Sequence, residues 1–228
     1  MSTSQALHAE LHALAPEQWP EFLTARSGLP GPRANLTLVD AVARIADRPA
    51  LDALLRDGGE YPMMCAAAVI ARHASEPASA AQARALATDE RWRVREGVVI
   101  GLQLLGDESP DVLIGIVRTW ADDPDLYVQR VATAAICEPR LLRSGTAAAA
   151  AIDVCRRTTQ HLIGLPRERR AEPAARNLRQ ALGYCWSIAV AADPAPGLAA
   201  FRELSTDDPD VAWIVKENLR KKRLSSII

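Results

Sequence analysis

The sequence predicts an all-α chain built as a right-handed stack of helix pairs, an α-solenoid of the armadillo type. Three observations predict it. The motif Trp92-Arg93-Val94-Arg95-Glu96 returns as Trp213-Ile214-Val215-Lys216-Glu217, and a weaker copy, Leu126-Tyr127-Val128-Gln129-Arg130, lies between them. Each copy follows an acidic cluster: Thr88-Asp89-Glu90, Asp122-Asp123-Pro124-Asp125 and Asp207-Asp208-Pro209-Asp210. No run alternates Val, Ile, Thr or aromatic residues with polar ones as a strand would. Self-similarity of this kind marks an array whose units bury their apolar faces only against their neighbours.

The elements follow from punctuation. Ser4 and Pro16 open two short helices, the second with Trp19 and Phe22. Ser27-Gly28-Leu29-Pro30-Gly31-Pro32 reads as a loop, because its prolines and glycines cannot continue a helix. A single HEAT-like repeat domain over residues 1–228 is thus expected, with 1–34 as its capping helices and Pro/Gly loop and 35–228 as its repeats. Asn35 caps a helix with Leu38, Val42 and Ile45 on one face. Pro49 starts the next, and Gly58-Gly59 stops it. Pro62 starts another, broken at Glu76-Pro77, and a short helix reaches Ala87. Asp89 opens a helix to about Leu105; Gly106–Asp111 ends it and caps one that reaches Trp120. Asp122–Asp125 caps the helix of Tyr127 and Val131, closed by Glu138-Pro139. The carboxylates accept orphan N–H groups and suit the positive helix end. Two long helices, Thr146–Ile163 and Pro173–Ala192, flank the basic loop Gly164–Arg170. Asp193-Pro194 and the last acidic cluster introduce the final two.

Composition narrows the function. A chain of 228 residues with 49% hydrophobic residues buries a sizeable core. Its net charge of −1 leaves no global basic footprint for nucleic acid. The distribution is uneven: residues 1–137 hold 12 Arg against 18 Asp and Glu, whereas 138–228 hold 12 Arg and 3 Lys against 10 acids. Positive charge therefore exceeds negative only in the later part, which admits a local basic face or an ordinary solvated surface. Cys65, Cys137, Cys155 and Cys185 sit far apart in apolar contexts without zinc or redox spacing, as buried free thiols do. No basic segment precedes an apolar run at the N-terminus, and no stretch reads as a membrane span, so a cytoplasmic location is expected.

Met64, Val94, Val128, Leu178 and Val215 serve as repeat anchors at intervals of 30, 34, 50 and 37 residues, which suits loosely built HEAT-like helix pairs. In that register Arg95, Gln129, Arg179 and Lys216 take equivalent inner-helix positions on a concave face, joined by Arg130.

Here the chain resembles the DNA alkylation repair family, the HEAT-like alkylpurine glycosylases. The residues that carry the resemblance are Trp120-Ala121-Asp122-Asp123-Pro124-Asp125-Leu126-Tyr127-Val128-Gln129-Arg130-Val131-Ala132 and Ala181-Leu182-Gly183-Tyr184, within about Asp89 to Leu224. The resemblance puts Trp92 and Glu96 where the family's glycosylases carry a Trp and a catalytic Asp. The chain departs in having Glu96 for that Asp, Tyr184 for a Trp, and Arg93 and Arg95 in a crowded acidic motif. It implies that Glu96 would stabilise an oxocarbenium cation, that Trp92 and Tyr184 would stack on an alkylated base, and that Arg130, Arg179 and Lys216 would hold phosphates, with Tyr127 also among the binding residues. The same residues also read as plain structure: Trp92 and Tyr184 as packing between helix pairs, Glu96 and Arg95 as a repeat-stabilising pair.

Other motifs carry less. His8-Ala9-Glu10-Leu11-His12 lacks the Glu position and third ligand of a zinc site, so no metal or cofactor is expected. Gly58-Gly59 has no Lys-Ser/Thr to make a phosphate loop. Arg220-Lys221-Lys222-Arg223 suits an acidic partner, or compensates a helix C-terminus. The sequence therefore reads first as a non-enzymatic binding or scaffold protein for a protein or nucleic-acid partner. Next comes a divergent glycosylase acting on alkylated DNA, and third a HEAT-type accessory or lyase-like chaperone for another protein.

Overall fold

A computed structural model describes residues 3–228. They are all-helical, with fifteen α-helices, two 3-10 turns and no strand among the described residues. The chain forms two compact units, Met1–Leu105 and Gly106–Ile228.

The first unit contains α1 (Thr3–His12), a 3-10 turn at Pro16–Gln18, α2 (Trp19–Ala25), α3 (Leu36–Ile45), α4 (Arg48–Asp57), α5 (Glu60–Arg72) and α6 (Pro77–Leu86). From Trp92, α7 runs to Glu108. The Asn35 side chain accepts from the Leu38 N–H, as its cap position predicts, and Asp47, which is not among the expected caps, accepts from the Ala50 N–H. Gly58 stops α4 in the left-handed conformation at φ 71°, which a side chain would strain. Helix α5 is the centre: α2, α3, α4 and α6 pack on it, and ten of its thirteen residues are buried. An apolar run of small Ala residues permits that burial on nearly every side. At Gly97 and Gly101 an added Cβ would lie 2.2 Å from the Met64 carbonyl and 2.3 Å from that of Ala68. Only glycine lets these two backbones approach so closely. Buried Tyr61 keeps its hydroxyl satisfied by donating to the Asn35 carbonyl at 2.6 Å.

The second unit contains α8 (Pro110–Trp120), α9 (Leu126–Ile136), a 3-10 turn at Pro139–Leu141, α10 (Gly145–Gly164), α11 (Arg167–Arg170), α12 (Pro173–Ala192), α13 (Pro194–Arg202), α14 (Pro209–Leu219) and α15 (Lys222–Ser225). Its hub is α12, against which α9, α10, α13, α14 and α15 pack. Leu178, Leu182 and Trp186 are fully buried there. The Trp186 indole donates to Thr159 Oγ1 at 3.1 Å, so its polar edge is satisfied inside the core.

Two expectations shift. Helix α7 begins three residues after Asp89 and continues through Gly106, which packs tightly against Leu113 and Leu141. Tertiary packing overrides the helix-breaking tendency of that glycine. Val94, Val128 and Leu178 are fully buried as anchors, but Val215 is only half-buried and Ile214 takes the interior position. Pro209 and the Asp208 cap set the phase of α14, leaving Val211, Ile214 and Asn218 as its buried stripe. Asn218 fills the stripe by bonding the Ser187 N–H and the Leu182 and Ile214 carbonyls.

Candidate functional site

In the first unit, Trp92 opens α7 and is 49% exposed, so it is surface rather than core packing. The Arg93 guanidinium lies 4.5 Å from its ring centroid and also reaches the Glu60 carboxylate at 3.2 Å. Glu96 stands half-buried one turn further on. Arg95 points inward and is 5% exposed. It donates to the carbonyl oxygens of Asp89 and Glu90, so its guanidinium fastens the turn before the helix.

The second unit repeats that device. Gln129, 3% exposed, donates from Nε2 to the Asp123 carbonyl at 2.7 Å. The bond spans six residues back along the chain, as does Arg95 to Asp89. The acidic turns also match: Asp89 Oδ1 accepts from the Arg91 N–H, and Asp123 Oδ1 from the Asp125 N–H. The repeat register predicts Arg95 and Gln129 on a ligand-facing surface; the structure buries both, where they hold turns. Tyr127 and Arg130 are half-buried on α9.

Around the basic loop, most charges are committed. Arg170 donates to the Leu165 carbonyl at 3.0 Å, to the Ile163 carbonyl and to Asp208. Arg179 donates to Asp210 at 2.7 Å and lies 4.9 Å from the Trp213 ring centroid. Gly183 makes room for that indole, since a Cβ there would lie 2.7 Å from it. Burial alone would raise the Asp208 carboxyl, but bonds from Arg170 and from the Asp210 and Val211 N–H groups outweigh it and hold the group below the usual aspartate range. The Arg91 guanidinium does the same for Asp89.

One cluster stays open. Tyr184 is 44% exposed on α12. The Arg223 guanidinium lies 4.7 Å from its ring centroid and donates to its hydroxyl at 2.8 Å, while Lys221 Nζ lies 5.5 Å from the same centroid. Exposed Arg176 and Gln180 precede Tyr184 at four-residue spacing, which aligns the three along one helix face. Lys216 is exposed on α14. The sequence gives the basic cluster at 220–223 an acidic partner or a helix end to compensate; in the structure Lys221 and Arg223 both lie against the Tyr184 ring.

Three cysteines also meet in the core of the second unit. The Cys137 and Cys155 sulfurs lie 3.7 Å apart, and Cys185 bonds to Cys137. The Cys155 contact and burial raise the Cys137 thiol, and burial raises that of Cys155, so both stay protonated. Among the described residues no group of three or more His, Cys, Asp or Glu side chains is placed to hold a metal ion, and no helix is long and apolar enough to cross a membrane. Compared with protein-family models, curated proteins and solved structures, the chain has no match.

Proposed function

We propose that this chain is a non-enzymatic helical-repeat binding protein that takes nucleic acid on the face formed by Arg176, Gln180, Tyr184, Lys221 and Arg223. HEAT-like helix pairs are the proposed repeat, supported by the shared turn device of Asp89 with Arg95 and Asp123 with Gln129. The observation that carries the function is Tyr184, a half-exposed aromatic flanked by two cations. Aromatic rings stack on unpaired bases while Lys and Arg neutralise the phosphates, a combination that binds single strands with little sequence preference. Arg179 and Arg170 contribute by holding α11, α12 and α14 in register through Asp208 and Asp210, not by contacting phosphate.

The test is fluorescence anisotropy with a labelled single-stranded oligonucleotide at low salt. Wild type binds. The triple variant R176Q/K221Q/R223Q, with unchanged far-UV circular dichroism, loses most of the affinity. Absence of any complex with wild type rejects the nucleic-acid reading and leaves a protein-binding scaffold.

A second reading, glycosylase action on alkylated DNA, is favoured by one observation: Trp92 is exposed with Glu96 one turn away. On that reading E96Q retains DNA binding and loses release of methylated purine. If wild type releases none above the spontaneous rate, the enzyme reading falls.

A further inference from the structure

A cavity of about 420 Å³ in the second unit is lined by Pro139, Leu142, Ile188, Ala191, Ala192 and Arg223. It arises because the chain leaves α9 through the short Pro139–Leu141 turn, while the end of α12 offers only Ala side chains at Ala191 and Ala192. Leu142 and Ile188 are 6% and 3% exposed and form the inner wall, with Pro139 and Ala191 exposed at the mouth. Apolar walls, a volume of a few hundred Å³ and one directing polar group are the usual make-up of a small-ligand site.

Arg223 is that polar group. Its guanidinium is already oriented by the Tyr184 hydroxyl at 2.8 Å, which consumes one N–H. Its other N–H groups have no carboxylate partner among the described residues, and no acidic residue lines the cavity. Arg140, beside Pro139, is occupied by Asp107 and Glu138, so Arg223 is the cation that a ligand here would meet.

We propose that this cavity binds a free aliphatic monocarboxylate, with the carboxylate on Arg223 and the chain against Leu142, Ile188, Ala191 and Ala192. A neutral apolar ligand would desolvate the guanidinium without replacing its water. A multiply charged anion would bring charge into an apolar space that supplies one cation. A single carboxylate matches the guanidinium fork, and an alkyl tail matches the walls. The proposal does not rest on the nucleic-acid reading, because it concerns the chain without DNA.

Octanoate titrated into the full chain, followed by calorimetry and by 1H–15N spectra, tests it. Saturable one-site binding is expected, with amide shifts at Leu142, Ile188, Ala191 and Arg223. Octanol should bind about tenfold more weakly or worse, since it lacks the charge-assisted bond. R223Q should lose about tenfold in octanoate affinity by the same reasoning. A191F, at an exposed position, should block the mouth and abolish binding while leaving the melting temperature near wild type. Octanoate that fails to saturate, octanol that binds equally well, an unaffected R223Q, or shifts confined elsewhere would each overturn the proposal. The ligand comparison and R223Q decide it even if A191F is unstable.

Discussion

Gln129 shows how a polar residue comes to lie inside an all-helical fold. Its amide reaches back to a turn carbonyl, so its burial satisfies one more backbone group instead of exposing a side chain to a ligand. Replacing it with Leu keeps the volume and removes the donor. The Asp123 carbonyl then loses its bond to that amide, and Q129L should be destabilised by about 1–3 kcal/mol in urea unfolding. An unchanged midpoint would mean that the turn is held without it. At the neighbouring anchor, V128D should cost several kcal/mol, because a carboxylate replaces a side chain with no exposed surface. Helical periodicity alone placed Val128 correctly but gave Gln129 the wrong environment. Periodicity separates apolar from polar residues; it does not register a polar side chain whose partner lies six residues back. The cysteine cluster was hidden for a similar reason. Cys137, Cys155 and Cys185 come from the end of α9 and from two other helices, so no local spacing announces their meeting.

At the scale of the element, helix boundaries were the most legible feature, because caps are local chemistry. The two long helices were expected at Thr146–Ile163 and Pro173–Ala192 and occur at Gly145–Gly164 and Pro173–Ala192. Ser144 caps the first by accepting from the Ala147 N–H at 3.2 Å. The phase of α14 was less legible, because the repeated Trp-x-Val pattern suggested Val215 while the cap and Asn218 network select Ile214. The acidic turns also link structure to pH. Asp89 is held below its ordinary range chiefly by the Arg91 side chain, and Asp208 by Arg170 and backbone N–H groups against the cost of burial. A carboxylate with a depressed folded pKa contributes stability fully above its unfolded value of about 3.9, and this is lost as pH falls through the folded value. D89N and D208N can still accept a cap bond but lose the charge. Each should be less stable than wild type at neutral pH, and the difference in thermal midpoint should shrink as the pH is lowered from about 5 towards 3. A difference that stays constant over that interval would remove the ionic account of these turns.

For the whole molecule, charge distribution decides what can be bound and where. The net charge of −1 conceals an acidic excess over residues 1–137 and a basic excess over 138–228. Part of that basic excess is offset by acids from the earlier stretch, Asp107 on Arg140 and Asp122 on Arg157, while Arg170 and Arg179 are already paired with Asp208 and Asp210. The open cations beside Tyr184 are few, so on the proposed nucleic-acid reading phosphate contacts should be few as well. For single strands, each neutralised phosphate contributes about −0.7 to the slope of log affinity against log salt. With Arg176, Lys221 and Arg223 as the contacts, the slope should be shallow, roughly −2. R223Q should reduce it by somewhat less than one, because one phosphate contact disappears. Y184A should act differently. It removes a stacking surface and no charge, so affinity should fall at every salt concentration while the slope stays close to that of wild type. Anisotropy titrations across a salt series separate the two variants. Parallel loss of slope in both, or a wild-type slope steep enough to require many more phosphates, would place the nucleic-acid surface away from the Tyr184 face.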